Sequence, residues 1–370
     1  MRIGVDVRML YHRTAGIGSY TIQLLTALSK IDRENDYVLL QHRRQTKPLI
    51  NAPRFSRATA FTPAHYRFEQ WPLSIETRRF RLDLLHSPDF IPPLHNKIPS
   101  VITVHDLAFL LYPKFVTASS ARYYGQVEDA VKRANRIIAV SHSTKNDIIE
   151  LLGTPEGKID VIYEAAAPFY RPISRQQAQG MLQSAGIQFS DRFILSVGTI
   201  EPRKNLMTLI HAYKILRDRY KHDLPLALAG APGWLSEEMR EDVKKLGLEK
   251  DVHFLGKTAD KHLLALYNLA TVFAHPAHYE GFGLPPLEAM ACATPVVCSD
   301  AGSLPEVVGD AAILVPPKDI EAWAAALHRI IDDADLQADL SQKGVERART
   351  FSWQKSARET LETYRKAVAG

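Results

Sequence analysis

Apolar and polar positions along the chain fall into two repeating rhythms. The opening RIGVDVRML alternates as a strand does, a loop HRTAGIGS follows, and YTIQLLTALSKI then spaces its apolar residues as one face of a helix. Short apolar runs recur at 37–40 (YVLL), 83–87 (DLLHS), 100–106 (SVITVHD) and 136–141 (RIIAVS), with helical spacing between some of them, as over 121–134. Strands alternating with helices predict βαβ units on a parallel sheet.

From Ile159, polar and proline positions break the rhythm through DVIYEAAAPFYRPIS, which places an interdomain linker near Pro168 to Ser174. A second series of apolar runs then begins, at 192–198, 225–230, 251–256, 270–276, 295–300 and 311–316. Several of them end in Gly or Pro, and open α/β sheets hold their ligands at the carboxyl ends of strands. The expected fold class is therefore α/β, with two Rossmann-like parallel sheets facing each other across a cleft. The last stretch, 351–369, reads as one amphipathic helix capped by Ser352.

Composition narrows the class. A chain of 370 residues suits two domains of roughly 150 to 200 residues each, and 46% apolar with 24% charged residues is the profile of a globular protein. The only cysteines, Cys292 and Cys298, exclude a disulfide framework or a thiolate metal cluster and suit a reducing cytosol. The first residues lack the apolar core of a signal peptide and no run approaches 18 apolar residues, so neither secretion nor a membrane span is expected. The net charge of +5 is unevenly placed: residues 1–172 carry 23 basic and 16 acidic residues, and 173–370 carry 23 and 25. Within the basic half, YRFEQWPLSIETRRFR (66–81) mixes aromatics with Arg67, Arg78, Arg79 and Arg81, as a surface meeting anionic lipid would. A solvated basic face is the plainer reading of the same residues.

The sharpest chemical segment runs from His275 to Val308. Glu280 and Glu288 are separated by seven residues, Gly281 and Gly283 follow the first, and a helix starts at the double proline. Loop amides and a helix N-terminus make an anion cradle, and glycine lets a phosphate reach the backbone. Glu288, about one turn into the helix, suits a pair of sugar hydroxyls, while a solvated loop is the competing reading. In GTIEPRKN, after the first strand of the second series, Arg203 and Lys204 are adjacent cations able to clamp a diphosphate, although an RK pair alone is more often a solvated turn. AGIGSY, with Gly16 and Gly18, fails as a dinucleotide fingerprint because Thr21 stands where a glycine is needed, and reads as a loop passing close to a ligand or as a plain helix-opening turn. His105 and Asp106 end the strand VITV, where a histidine bonds a sugar, moves a proton or is simply structural. Ser141 or Ser143 reads as a helix cap, and DDAD (332–335) as a solvated helix junction and not a metal site.

Taken in order, GIGSY, TVHD, AVSHSTKND, GTIEPRKN, AGAPGW, VHFLG and YEGFGLPPLEAMACATPVVCSDAGSLPEVV resemble glycosyltransferase family 4, the retaining sugar-nucleotide transferases of the GT-B fold, from about residue 3 to 366. Within the family the chain looks most like bacterial mannosyltransferases of O-antigen and related polysaccharide assembly. The resemblance implies an acceptor-binding domain over 1–170 joined by the returning helix 352–370, and a donor-binding domain over 171–351. It implies that Glu280 lies beside the donor sugar and that Gly281, Phe282, Gly283 and Leu284 offer backbone amides to sugar and phosphate. Glu288 would hold the ribose, Arg203 and Lys204 would neutralise the diphosphate, and Gly198 is counted among the donor-binding residues. His105 would touch the donor sugar or reaction centre, with Gly16 and Gly18 lining the phosphate and acceptor side. The donor guess is GDP-mannose and the acceptor a glycan or lipid-linked hydroxyl. No cofactor, metal or nucleic acid is expected, and the location is cytoplasmic with peripheral contact to an anionic membrane. Ala293 departs from the family, which has glycine there, and should perturb a turn and not the chemistry. A sugar-nucleotide 2-epimerase on the same scaffold and a non-catalytic nucleotide-sugar-binding subunit remain as alternatives.

Overall fold

The computed structural model describes residues 1–11, 16–64, 69–95, 97–113, 124–187, 189, 192–233 and 236–369. The chain divides into two compact units, Met1–Glu164 with Ser352–Gly370, and Ala165–Phe351.

The first unit is built on seven parallel strands: β1 (Arg2–Asp6), β2 (Asp36–His42), β3 (Phe55–Ala60), β4 (Leu84–Ser87), β5 (Ser100–Val104), β6 (Arg136–Ala139) and β7 (Ile159–Val161), in the order β3-β2-β1-β4-β5-β6-β7. The chain builds outward from β1 to β3 and then returns to the other flank of β1, so the order reverses between β1 and β4. The central strands β4 and β5 are buried at every residue, as parallel strands covered on both faces must be. The two edge strands are the ones that apolar runs do not announce. β3, FSRATA, buries only Ala58 and Ala60 and leaves Ser56 exposed, and β7 has only three residues. Helix α1 (Gly16–Ile31) buries Tyr20, Leu24, Leu25 and Leu28, and α2 (Gln70–Arg78) buries Leu73, Ser74 and Thr77. Ser141 caps the helix after β6, its Oγ accepting from the Thr144 amide at 2.9 Å.

The second unit carries β8 (Ile194–Val197), β9 (Leu226–Ala229), β10 (Val252–Gly256), β11 (Val272–His275), β12 (Val296–Ser299) and β13 (Ile313–Val315), all parallel, in the order β10-β9-β8-β11-β12-β13. Here the reversal lies between β8 and β11. Helices α3 (Leu206–Asp218) and α5 (Ile320–Asp332) pack together, burying Leu209, Ile210 and Tyr213 of one and Trp323, Leu327 and Ile330 of the other. Between them in sequence, α4 (Leu284–Ala291) starts from Gly283 with prolines in its first turn. α6 (Ala334–Arg349) is capped by Asp333, whose Oδ1 accepts from the Leu336 amide at 2.9 Å, so part of DDAD is the helix junction its pattern suggests.

The last helix, α7 (Trp353–Ala369), belongs to the first unit although it is last in sequence. It packs on α1 and over β4, β5 and β6, and Ser352 accepts from the Lys355 amide at 3.2 Å to begin it. Its buried face carries polar anchors as well as apolar ones. Ser356 donates to the Tyr163 carbonyl at 2.6 Å, Lys366 and Thr363 both reach Asp160, and the Tyr364 hydroxyl lies 2.7 Å from Nδ1 of His86. Both cysteines are buried free thiols, and among the described residues no helix is long and apolar enough to cross a membrane.

Candidate active site

In the second unit, the loops after β8, β9, β11 and β12 meet where the strand order reverses. Lys204, Gly198, Ala229 and His275 line a small pocket there. The backbones approach very closely at this edge. A Cβ on Gly230 would lie 1.8 Å from the Gly198 carbonyl oxygen, and one on Gly302, at φ +58°, would lie 2.6 Å from the Glu280 carbonyl oxygen. Neither position can carry a side chain without moving the loops that shape the site.

Glu280 is the hub. Its carboxylate accepts from Arg203 Nη1 at 3.0 Å, from the Lys204 ammonium, and from His275 Nε2 at 2.8 Å. Burial by itself would push the Glu280 carboxyl up, but the Lys204 and Arg203 charges and the His275 bond outweigh it and hold the group well below the usual carboxylate range. His275 is fully buried, and that burial lowers its pKa despite the Glu280 carboxylate, so it bonds as a neutral donor. Arg203 also spans to Glu201 at 2.9 Å and to the Tyr279 carbonyl at 3.1 Å. From the other side Ser303 fixes the backbone of this loop. Its amide donates to the Glu280 carbonyl at 3.1 Å and its hydroxyl to the Phe282 carbonyl at 2.6 Å.

The structure therefore brings Glu280, Arg203, Lys204 and Gly198 together, directly before Gly281, Phe282, Gly283 and Leu284. Glu288 stands one turn further on, half-buried, accepting from the buried Tyr267 hydroxyl at 3.0 Å. The helix supplies fewer amides than its position suggests. Pro285 and Pro286 have no N–H, so an anion at this edge meets the amides of residues 281–284 and depends correspondingly more on the two cations. His275, Glu201, Ser303 and Tyr267 are site residues that the sequence reading passed over. Ser303 and Gly302 lie inside the segment that carries the two glutamates, and His275 ends an apolar run, but only folding reveals that they hold Glu280.

His105, Gly16 and Gly18 belong to the first unit. His105 follows β5 with both ring nitrogens engaged, Nδ1 2.9 Å from Glu164 Oε1 and Nε2 2.9 Å from the Pro88 carbonyl oxygen. Burial alone would lower its pKa, but the Glu164 carboxylate, the Pro88 carbonyl and the nearby Asp89 charge outweigh that and raise it. A ring with a partner on each nitrogen is held in place, and Nε2 reaches a sugar only by leaving Pro88. Gly16 and Gly18 form the first turn of α1, with open space where a Cβ on Gly16 would point. Where the order of the first sheet reverses, Asp6, Arg8, Ser87 and Asp89 line a second polar pocket that the sequence reading did not single out. Arg8 is only 2% exposed and holds Asp6 with two bonds, Nη2 to Oδ2 at 2.7 Å and Nε to Oδ1 at 2.9 Å. The charged alternation of VDVR at the end of β1 was its trace in the sequence.

Comparison with known proteins identifies the family. A family model described as Glycosyl transferases group 1 matches residues 181–347, and one described as Glycosyltransferase Family 4 matches residues 14–166. The O-antigen chain mannosyltransferase B of Escherichia coli is 30% identical, over 99% of this chain and 100% of that protein. The longer serotype-specific mannosyltransferase WbdA of Escherichia coli is 32% identical over 63% of this chain and 29% of its own length. Sucrose-phosphate synthase from Thermosynechococcus elongatus shares the fold at a TM-score of 0.80 and 20% identity, over 100% of this chain and 99% of that one. Two doubly wound parallel sheets, a helix that closes the chain on the first of them, and a relative matched end to end mean that this chain belongs to the family-4 glycosyltransferases of GT-B fold.

Proposed function

We propose that this glycosyltransferase moves mannose from GDP-mannose to a hydroxyl of a glycan or lipid-linked acceptor in cell-surface polysaccharide assembly, with retention at the anomeric carbon. The observation that carries the reading is the Glu280–Arg203–Lys204 cluster at the carboxyl edge of the second sheet, before the amides of 281–284. The end-to-end match to an O-antigen mannosyltransferase supports the choice of sugar and pathway class.

In this reading residues 165–351 bind the donor and the first unit binds the acceptor. Arg203 and Lys204 exchange their bonds to Glu280 for the donor diphosphate, while Glu288 takes the ribose hydroxyls. With the cations moved to the diphosphate, Glu280 keeps its bond to His275 and in this reading orients the sugar and does not attack it. The acceptor oxygen then bonds the anomeric carbon on the face the diphosphate leaves, the C–O bond to phosphate breaks, and the acceptor proton passes to the departing phosphate. The two side-chain cations supply the countercharge to that leaving group. Polar groups of Asp6, Ser87 and Asp89 suit acceptor hydroxyls, and His105 is held in place by Glu164 and Pro88.

Transfer from GDP-mannose to oligomannose acceptors, with NMR assignment of the anomeric product, tests the reading, together with melting in GDP-, UDP-, ADP- and CDP-sugars. A ligand at about 100 times its Kd stabilises the native state by roughly 2.7 kcal/mol. The reading expects a GDP-mannose shift, an α-linked product and turnover that survives EDTA. A shift with UDP-sugars alone overturns the donor, an inverted product overturns retention, and conversion of the nucleotide sugar without acceptor points to an epimerase.

A further inference from the structure

On the second unit, away from the loops that hold Glu280, three side chains converge from distant parts of the sequence. His222 lies in the turn between α3 and β9, and His328 and Asp332 lie one turn apart at the end of α5. His222 Nε2 is 3.0 Å from His328 Nδ1 and 3.4 Å from Asp332 Oδ1, and His328 Nδ1 is 3.3 Å from Asp332 Oδ2. The Tyr220 ring stacks on His328 with centroids 4.0 Å apart and fixes its plane. His222 is largely covered, whereas His328 and Asp332 keep a solvent-facing side.

We propose that His222, His328 and Asp332 form a binding site for a divalent transition metal, with Zn2+ as the ion whose chemistry it matches. Zinc bonds to imidazole nitrogen and carboxylate oxygen are about 2.0 to 2.2 Å long and tetrahedral, which puts neighbouring ligand atoms roughly 3.3 to 3.5 Å apart. The two imidazole nitrogens are near such an edge and each already has one oxygen of Asp332 at that distance, so a metal needs the Asp332 carboxylate to turn one oxygen toward both rings or to bind through both oxygens. Two ring nitrogens that face each other share a single hydrogen. When a metal replaces it, that ring's hydrogen moves to its other nitrogen and both lone pairs point at the ion. Two imidazoles and one carboxylate favour Zn2+, Ni2+ or Cu2+ over Mg2+ or Ca2+, which take oxygen donors. The fourth position faces solvent and takes water.

The place of the site says what it does. α3 leaves the carboxyl edge of the sheet after β8 and α5 leaves it after β13, so both end at the opposite edge, away from Gly198, Lys204 and Glu280. The metal would clip the α3–β9 turn to the end of α5 across a sequence separation of 106 residues, stabilising the second unit without touching the transfer chemistry. The inference does not rest on the identity of the donor or acceptor.

The test uses the full chain without a polyhistidine tag, stripped with EDTA, titrated with ZnCl2 in a calorimeter and melted with and without the metal. The expected result is one Zn2+ per chain and a raised melting temperature. At a free ion concentration about 100 times Kd the folded-to-unfolded ratio should rise about 100-fold, and MgCl2 should give no such shift. His222→Gln and His328→Gln should each abolish the one-site isotherm while melting in EDTA as the parent chain does and keeping its transfer activity. Co2+ in the parent chain should give the visible absorption of a tetrahedral site, absent from both variants. No Zn2+-dependent shift in the parent chain, or equal affinity in His328→Gln, overturns the site. Should one variant fold poorly, the other and the Co2+ spectrum of the parent chain still decide the question.

Discussion

At the residue scale, the two cations beside Glu280 are the most exacting positions. They lie 76 and 77 residues from their partner in sequence, yet their side chains converge on one buried carboxylate. In the proposed reaction Pro285 and Pro286 withhold two amides, so the charge of a leaving diphosphate would fall mainly on Arg203 and Lys204. A well-placed donor of this kind is worth about 2.7 to 4 kcal/mol in a transition state, so Arg203→Ala or Lys204→Ala should lower turnover roughly 100-fold or more with secondary structure unchanged. Near-normal turnover for both single variants would remove the cations from the mechanism. Ala293 gives a prediction of the opposite sign. It ends α4 at φ +63°, with its amide on the Met290 carbonyl and the Thr294 amide on the Ala289 carbonyl at 3.0 Å each. That is the left-handed helix end that glycine favours, occupied by alanine. Ala293→Gly should therefore stabilise the chain by about 1 kcal/mol and leave turnover alone, read from urea midpoints. A lowered midpoint would show that the strain is absent or compensated.

At the element scale, most strands follow from continuous apolar runs, because a parallel strand covered on both faces has no polar side to show. β3 and β7 escaped because edge strands are half exposed or very short, which dilutes the same signature. The helix α7 is legible as a helix from its period, but its partner is not, since an amphipathic face says that something covers it and not what. Its docking depends on a buried polar chain in which Tyr364 meets His86 Nδ1, His86 Nε2 lies 2.9 Å from Thr103 Oγ1, and Thr103 meets the Tyr20 hydroxyl at 3.1 Å. Burial pushes the His86 pKa down to about 3, so the ring is neutral and dependent on these partners. Tyr364→Phe leaves one buried nitrogen without its hydroxyl, which should cost about 1 to 3 kcal/mol in denaturant unfolding. A change within a few tenths of a kcal/mol would mean that water or a shifted ring replaces the bond.

At the scale of the whole molecule, the excess of basic over acidic residues lies in 1–172. There α2 presents Trp71 and Ile75, 65% and 64% exposed, on one face with exposed Arg78, while Phe61 nearby lies under the Arg79 guanidinium at 5.6 Å. Tyr66, Arg67 and Phe68 of the same stretch lie outside the described residues. Aromatic and aliphatic side chains among arginines suit the interface of an anionic membrane. Sedimentation should show salt-sensitive binding to anionic vesicles that weakens in the Trp71→Ser, Ile75→Ser double variant. Equal binding to neutral vesicles would count against it.

The amino-acid order was enough to set the two-sheet α/β class and the alternation of strands with helices, because hydrophobic period is a local property that a parallel sheet demands, and the ordered motifs carried the resemblance to the family. It also singled out Glu280, Arg203 and Lys204 in loops that follow strands, and Glu288 in the helix that follows Glu280. The partners of these groups were decided only by tertiary structure. His275 and Ser303 on Glu280 and its loop are contacts that neither periodicity nor spacing announces, and Arg203 on Glu280, Tyr364 on His86 and His222 beside Asp332 are meetings between distant segments. Electrostatics divides along the same line: the formal charges can be counted along the chain, but the depressed Glu280 carboxyl and the raised His105 come from neighbours up to 77 residues away whose effect outweighs that of burial.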